Sequence, residues 1–268
     1  MLKWVLTALV MTIPSLAAAD FIILQSTTST QNSGLFAAIL PEFEKETGIE
    51  VRVVAVGTGQ ALRNARNGDG DVLLVHAKAA EEQFVEDGFG VSRSDVMYND
   101  FVIVGPANDP ADVTISDSVD SAFQAISDAH AKFISRGDDS GTHKAEMRLW
   151  SSAGFEPREH SGKWYIETGS GMGATLNIAS SMGGYALSDR ATWLAFGNKG
   201  DLKVVFEGDP KLFNQYGVIV VNPARHPTVK IQQAEQFFNW ILGENGQAAI
   251  AAFMLGGQQL FFPNAPNQ

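Results

Sequence analysis

Arg136-Gly137-Asp138-Asp139-Ser140-Gly141-Thr142-His143 joins one permanently charged fork to two small hydroxyl residues around a glycine. Ala145, Met147, Leu149 and Trp150 follow as an apolar, helix-like run, which predicts a helix starting near Ser140. The first N–H groups of a helix have no internal partner and lie at the positive end of its dipole, so such a start is a ready anion site. Arg136 adds a planar set of donors suited to an oxyanion. The same residues also read as ordinary N-capping by Asp or Ser, and this segment alone leaves both readings open.

Two further segments share the design. Thr27-Thr28-Ser29 follows the apolar run at 20–25, and Gly57-Thr58-Gly59 follows the run at 49–56. Each precedes a helical pattern. In an open α/β sheet, loops at the C-terminal ends of strands converge on the ligand crevice. Hydroxyl and N–H groups donate, and among these residues only Arg136 carries a full charge. Donors without an acceptor suit an oxyanion that bears no proton.

The elements that must position these loops are legible as strand, loop and helix in alternation. Strands are expected at 20–25, 49–56, 71–76, 100–105, 131–135, 163–166, 184–187, 202–206 and 216–221. Helices are expected at 81–87, 119–129, 174–182, 190–196, 229–242 and 246–253, with Leu35, Phe36, Ile39, Leu40 and Phe43 marking one more, kinked or split at Pro41. This alternation predicts an α/β fold with a mainly parallel sheet.

Competing chemistries fail on spacing. A nucleophile elbow needs Gly-x-Ser-x-Gly, which Gly137-Asp138-Asp139-Ser140-Gly141 does not provide, so Ser140 and His143 do not read as a hydrolase pair. Asp138-Asp139 has no second acidic or histidine cluster at metal-ligand spacing. Thr168-Gly169-Ser170-Gly171-Met172-Gly173 lacks the strand and acidic residue of a dinucleotide site and reads as a turn. His76, His160 and His226 are scattered, with no role assigned from sequence.

Residues 1–19 read as a signal peptide: Lys3 is the positive end, residues 4–13 the apolar core, and Ala17-Ala18-Ala19 the small-residue cleavage site. Removing 19 of 268 residues leaves 249, and losing Lys3 takes the formal net charge from −11 to −12. So acidic a chain disfavours nucleic acid and anionic membrane as partners, yet a local site can still oppose the global field. The absence of cysteine excludes disulfides, thiolate metal sites and a lipid-anchoring cysteine. These features describe an exported, soluble protein of the bacterial periplasm.

Thr27-Thr28-Ser29-Thr30 with Ser33-Gly34-Leu35, Val54 to Ala61, Ser135 to Lys144, Gly171 to Leu176, and Tyr185-Ala186-Leu187-Ser188-Asp189-Arg190 together resemble the tungstate-binding periplasmic proteins of bacterial ABC importers. The resemblance runs over nearly the whole chain after residue 19, and Arg136 to Lys144 is its most specific part. That family is similar to molybdate-, sulfate- and phosphate-binding proteins. The resemblance implies a periplasmic-binding-protein-like (type II) fold, in which two α/β lobes joined by two crossing segments close over the anion. The expected division is residues 20–104 plus 221–268 for lobe 1 and 105–220 for lobe 2, with hinges at 101–104 and 219–221. The implied ligands are Thr27, Thr28 and Ser29 from the first loop, Thr58 from the second, Arg136 as the charged clamp, and Ser140, Gly141 and Thr142 from the helix start. Ala77 stands where the similar phosphate-binding proteins have a carboxylate for the proton of phosphate. Ser188 and Ala191 stand where the family usually has Thr and Gly. The implied function is a monomeric, non-enzymatic receptor for tungstate, with no cofactor, that docks on a membrane permease and its ATPase. Molybdate is the alternative ligand, then phosphate or sulfate. An exported phosphoester hydrolase is the alternative from another class.

Overall fold

A computed structural model describes residues 20–266, so the expected signal peptide at 1–19 lies outside the described residues. The chain begins with β1 (Phe21–Thr27), α1 (Thr28–Asn32), α2 (Leu35–Thr47), β2 (Glu50–Val56), α3 (Thr58–Arg66), β3 (Val72–Val75) and α4 (Lys78–Glu86). A long strand follows, β4 (Gly90–Pro106). Next come α5 (Val119–Asp128), β5 (Phe133–Ser135), α6 (Gly141–Ser152), β6 (Tyr165–Glu167), α7 (Met172–Met182), β7 (Ala186–Asp189), α8 (Arg190–Ala195) and β8 (Leu202–Phe206). The chain closes with β9 (Phe213–Val221), α9 (Ile231–Leu242), α10 (Glu244–Ala252), and the short strands β10 (Met254–Leu255), β11 (Gln258–Gln259) and β12 (Phe262–Pro263).

Two α/β lobes result, each a sheet covered on both faces. In the first, strand alternation sends Val72, Leu74, Val218 and Val220 to one face, against α2, α9 and α10. Leu73, Val75, Ile219 and Val221 point to the other, against α3 and α4. In the second lobe, Phe101 and Ile103 pack with Phe123, Leu149 and Trp150. Val102 and Val104 pack with Leu176, Ala179 and Trp193 on the opposite face.

The sheet is mixed rather than mainly parallel. β1 pairs in parallel with β2 and β3, whereas β9 runs antiparallel to both β3 and β4. The reason is topological: the chain leaves the first lobe along β4 and returns along β9, so these two strands run in opposite directions. Residues 90–100 of β4 pair with β9, and residues 101–106 pair with β7 and β8. The crossings therefore fall at Asp100/Phe101 and just before Phe213. The strands expected as hinges, 101–104 and 219–221, are instead core strands of the second and first lobes.

Pro41 lies inside α2 without ending it. Leu35, Phe36, Ile39, Leu40 and Phe43 form the buried stripe, while Ala37 and Pro41 face solvent, where water can serve the carbonyl that proline leaves unpaired. Among the described residues, no helix is long and apolar enough to cross a membrane.

Candidate functional site

Three strand ends meet at the cleft. β1 leads into α1, whose N-cap Thr27 uses Oγ1 to accept from Thr30 N at 3.3 Å. β2 leads through Gly57 into α3, with Thr58 as its first residue. β5 leads through residues 136–140 into α6, whose N-cap Ser140 accepts from His143 N at 3.1 Å. The last loop turns sharply because Gly137 and Asp139 both adopt left-handed backbone, φ 60° and 58°. Glycine has no steric objection to that region, and Asp tolerates it.

The loops of the two lobes touch. A β-carbon on Gly141 would stand 2.8 Å from His76 Cε1 and 2.9 Å from Thr58 Oγ1, so only glycine allows this approach. Gly59 N donates to Asp139 O at 3.3 Å, and Arg63 reaches Asp139 Oδ2 at 3.0 Å. Lys144 holds the other oxygen of the same carboxylate. Burial raises the pKa of Asp139, but the hydrogen bonds from Lys144 and Arg63 outweigh it and hold the carboxyl below its usual value.

Several donors converge here without a protein acceptor. Thr58 Oγ1, Thr142 Oγ1 and Arg136 Nε are buried and make no hydrogen bond among the described residues. The N–H groups of Gly141 and Thr142 open α6 and bond to nothing among the described residues. Buried polar groups left unpaired cost about 1–3 kcal/mol each, so a cluster of them marks a place built for a partner. Arg136 is 3% exposed, and its Nη2 donates to Asp138 Oδ2 at 2.5 Å, which fixes the guanidinium plane.

The eight expected ligand residues lie on these three loops, but their side chains are not equally free. Thr58, Arg136 and Thr142 present unpaired atoms to the cleft. Thr27 Oγ1 is shared with Thr30 Oγ1 at 2.7 Å and Ser29 Oγ at 3.1 Å. Ser29 Oγ lies 3.2 Å from His76 Nε2. Thr28 is half-buried. Ser140 accepts as a cap yet keeps its own proton, and Gly141 offers only its N–H.

His76, to which the sequence assigned nothing, stands where the three loops meet. Its Nδ1 is 3.1 Å from Asn214 Oδ1, and Asn214 Nδ2 donates to Asn99 Oδ1 at 2.7 Å. With the amide so oriented, Nδ1 carries the proton and Nε2 accepts from Ser29, so the Ser29 hydroxyl is committed to the protein and its N–H remains for a ligand. The ring stacks on Tyr216 with centroids 4.7 Å apart. Burial, with a smaller push from the Arg136 charge, lowers its pKa to about 4 against the pull of Asn214, so it is neutral at physiological pH. Its placement at the end of a buried strand was the available signal, because a histidine directly after Val72–Val75 must sit at the sheet's C-terminal edge.

Asp189 and Arg190 also lie at the junction of the lobes. Asp189 caps α8, taking Thr192 N on Oδ1 at 2.9 Å, while Oδ2 is buried and unpaired. Burial raises its pKa, opposed by its hydrogen bonds to Thr192 and by Arg136. The surroundings of Arg136 thus include two carboxyls, those of Asp138 and Asp189, where the sequence suggested donors alone. Arg190 forks onto Asp100 at 2.7 and 2.6 Å, directly at the outgoing crossing. No group of three or more His, Asp or Glu able to hold a metal occurs among the described residues.

Against known proteins, a model described as "PBP superfamily domain" matches residues 13–245. The tungstate-binding protein TupA of Peptoclostridium acidaminophilum is 50% identical over 252 residues, covering 92% of this chain and 87% of that one. Among solved structures, TupA of Desulfovibrio alaskensis G20 has a TM-score of 0.79 at 48% identity, covering 92% of this chain and all of that one. A structure described as the tungstate ABC transporter from Geobacter sulfurreducens has a TM-score of 0.80 at 47% identity, covering 88% of this chain and all of that one. The two-lobed fold, the converging donor loops and these likenesses agree: the chain belongs to the PBP superfamily and, within it, to the family of tungstate-binding proteins.

Proposed function

We propose that this chain is an exported receptor that captures tungstate between its two lobes and hands it to an ABC permease driven by an ATPase. The observation that carries the reading is the set of buried, unpaired donors, Thr58 Oγ1, Arg136 Nε and Thr142 Oγ1, contributed by both lobes. A tetrahedral dianion accepts at every oxygen, so it can take these hydroxyls, the guanidinium and the N–H groups opening α6 together. Thr28 N, Ser29 N and Thr58 N supply the facing wall. The lobes that this reading requires are residues 20–100 plus 213–266 against 101–212, the division that strand pairing supports in place of 20–104 plus 221–268 against 105–220. A signal peptide cut near Ala19, a periplasmic location and a monomeric state complete the proposal.

Binding of this kind stabilises the folded protein with the logarithm of ligand concentration above Kd, by about 2.7 kcal/mol at a hundredfold excess over Kd. Tungstate should therefore raise the melting temperature in a concentration-dependent way, and an equal concentration of chloride should not. Turnover of a generic phosphoester by the purified protein would replace this reading with that of an exported hydrolase.

A further inference from the structure

Behind the cleft surface of the second lobe lies a carboxyl that anion binding does not use directly. Glu146 is on α6, one turn beyond Thr142, and is 1% exposed. Tyr165 OH donates to Oε1 at 2.6 Å, and Ser135 Oγ donates to Oε2 at 2.9 Å. It has no ion-pair partner among the described residues. Burial pushes its carboxyl up to about 7, against the two hydroxyl donors. Phe133, Leu149 and Trp150 are buried in the same core. A residue needed only to fill that space would be apolar, because a buried carboxyl costs desolvation unless its hydrogen bonds do something an apolar group cannot.

Ser135 is the last residue of β5 and immediately precedes Arg136. Its Oγ also accepts from Gly137 N at 3.2 Å, so it holds the backbone on both sides of Arg136. Glu146 belongs to the helix whose first turn presents Gly141 and Thr142. One carboxyl therefore ties the strand end that carries the cation to the helix that carries the neutral donors. We propose that Glu146 is a positioning residue for the anion: it fixes the spacing between Arg136 Nε and the N–H groups of α6. Supporting groups of this type commonly hold binding atoms in place and change affinity strongly when lost.

This inference rests on reading the cleft as a tungstate site, and the experiment separates the two. Tungstate affinity and release rate are measured for the wild type, Glu146→Gln, Glu146→Leu and Ser135→Ala, and for the Leu/Ala double variant. Glu146→Leu should weaken binding by about tenfold or more, chiefly through faster release, while Glu146→Gln, which can still bond both hydroxyls, should stay within about threefold of the wild type. Ser135→Ala should weaken binding in the same direction, and the double variant should be no weaker than Glu146→Leu alone, because both break one network. A folded Glu146→Leu protein with wild-type affinity, or a Gln variant as weak as the Leu variant, would overturn the proposal. Should Glu146→Leu fail to fold, Ser135→Ala decides, and unchanged affinity there overturns it. A wild-type protein that binds no tungstate overturns the underlying reading along with this one.

Discussion

Arg136 Nε is buried beside neutral hydroxyl and N–H donors, with Nη2 already held by Asp138. Truncating one partner of a buried, charge-assisted contact costs about 2–5 kcal/mol, and here it would also strand the Asp138 carboxylate. Arg136→Ala should therefore weaken anion binding by roughly 30-fold to several-thousand-fold, measured by titration; unchanged affinity would mean that the anion binds elsewhere. His76 makes a different prediction, one about pH. Its folded pKa, about 4, lies below its ordinary 6.5, so its contribution to stability is complete above 6.5 and is lost as pH falls through 4. Between pH 7 and pH 5 that loss is about 2 kcal/mol, to order of magnitude. Buried Glu81 and Glu146, each with a pKa raised to about 7, act in the opposite sense. A group of that kind is stabilising below its unfolded value and loses the effect as pH rises through 7. Denaturant melts of the wild type and His76→Gln at both pH values isolate the histidine: the gap between the two proteins should narrow at pH 5. A gap that is the same at both pH values would show that His76 titrates normally.

At the scale of elements, the site depends on how closely α6 approaches the end of β3. Gly141 is the first residue of α6, and the atoms its β-carbon would meet belong to the other lobe. Gly141→Ala should therefore leave each lobe folded, yet abolish tight binding, because its β-carbon would press on the buried His76 ring and Thr58 Oγ1. A melting curve and a titration on the same sample test this, and a variant that binds normally would contradict the closed contact between the loops. The elements that sequence revealed best are those with one clear period. α2 and α9 carry unbroken apolar stripes, and β1, β2 and β3 carry apolar runs ahead of Ser/Thr/Gly loops. The first half of β4 was illegible because Val91, Ser92, Arg93, Ser94 and Asp95 mix charge and polarity on a strand whose neighbours are set by tertiary pairing. The crossing positions are hard to read for the same reason, since a continuous strand that serves two lobes has no local mark where it changes partner. His76, Asn214, Asn99 and Asp189 have no role legible in the sequence because their roles exist only once four distant segments meet.

At the scale of the molecule, a chain of formal net charge −11 is a poor long-range attractor for an anion. Capture must come from short-range, desolvated contacts, with affinity carried by the closed cleft rather than by steering. The lobe contacts fit that account: Arg63 to Asp139 and Gly59 N to Asp139 O cross between the lobes, and the half-exposed Arg63–Asp139 ion pair adds at most about 1 kcal/mol on its own. In the proposed receptor, closure would therefore draw most of its free energy from an anion bonded to both lobes at once. Asp138 and Asp189 near Arg136 remove one ground for selectivity: a carboxyl at the site can accept the proton of a protonated phosphate, so the donors alone do not exclude that ligand. The direct test is calorimetric titration of the purified protein with tungstate, molybdate, sulfate and phosphate under one set of conditions. Tight, one-to-one binding of tungstate is expected; binding of phosphate alone, with none of tungstate, would contradict the reading.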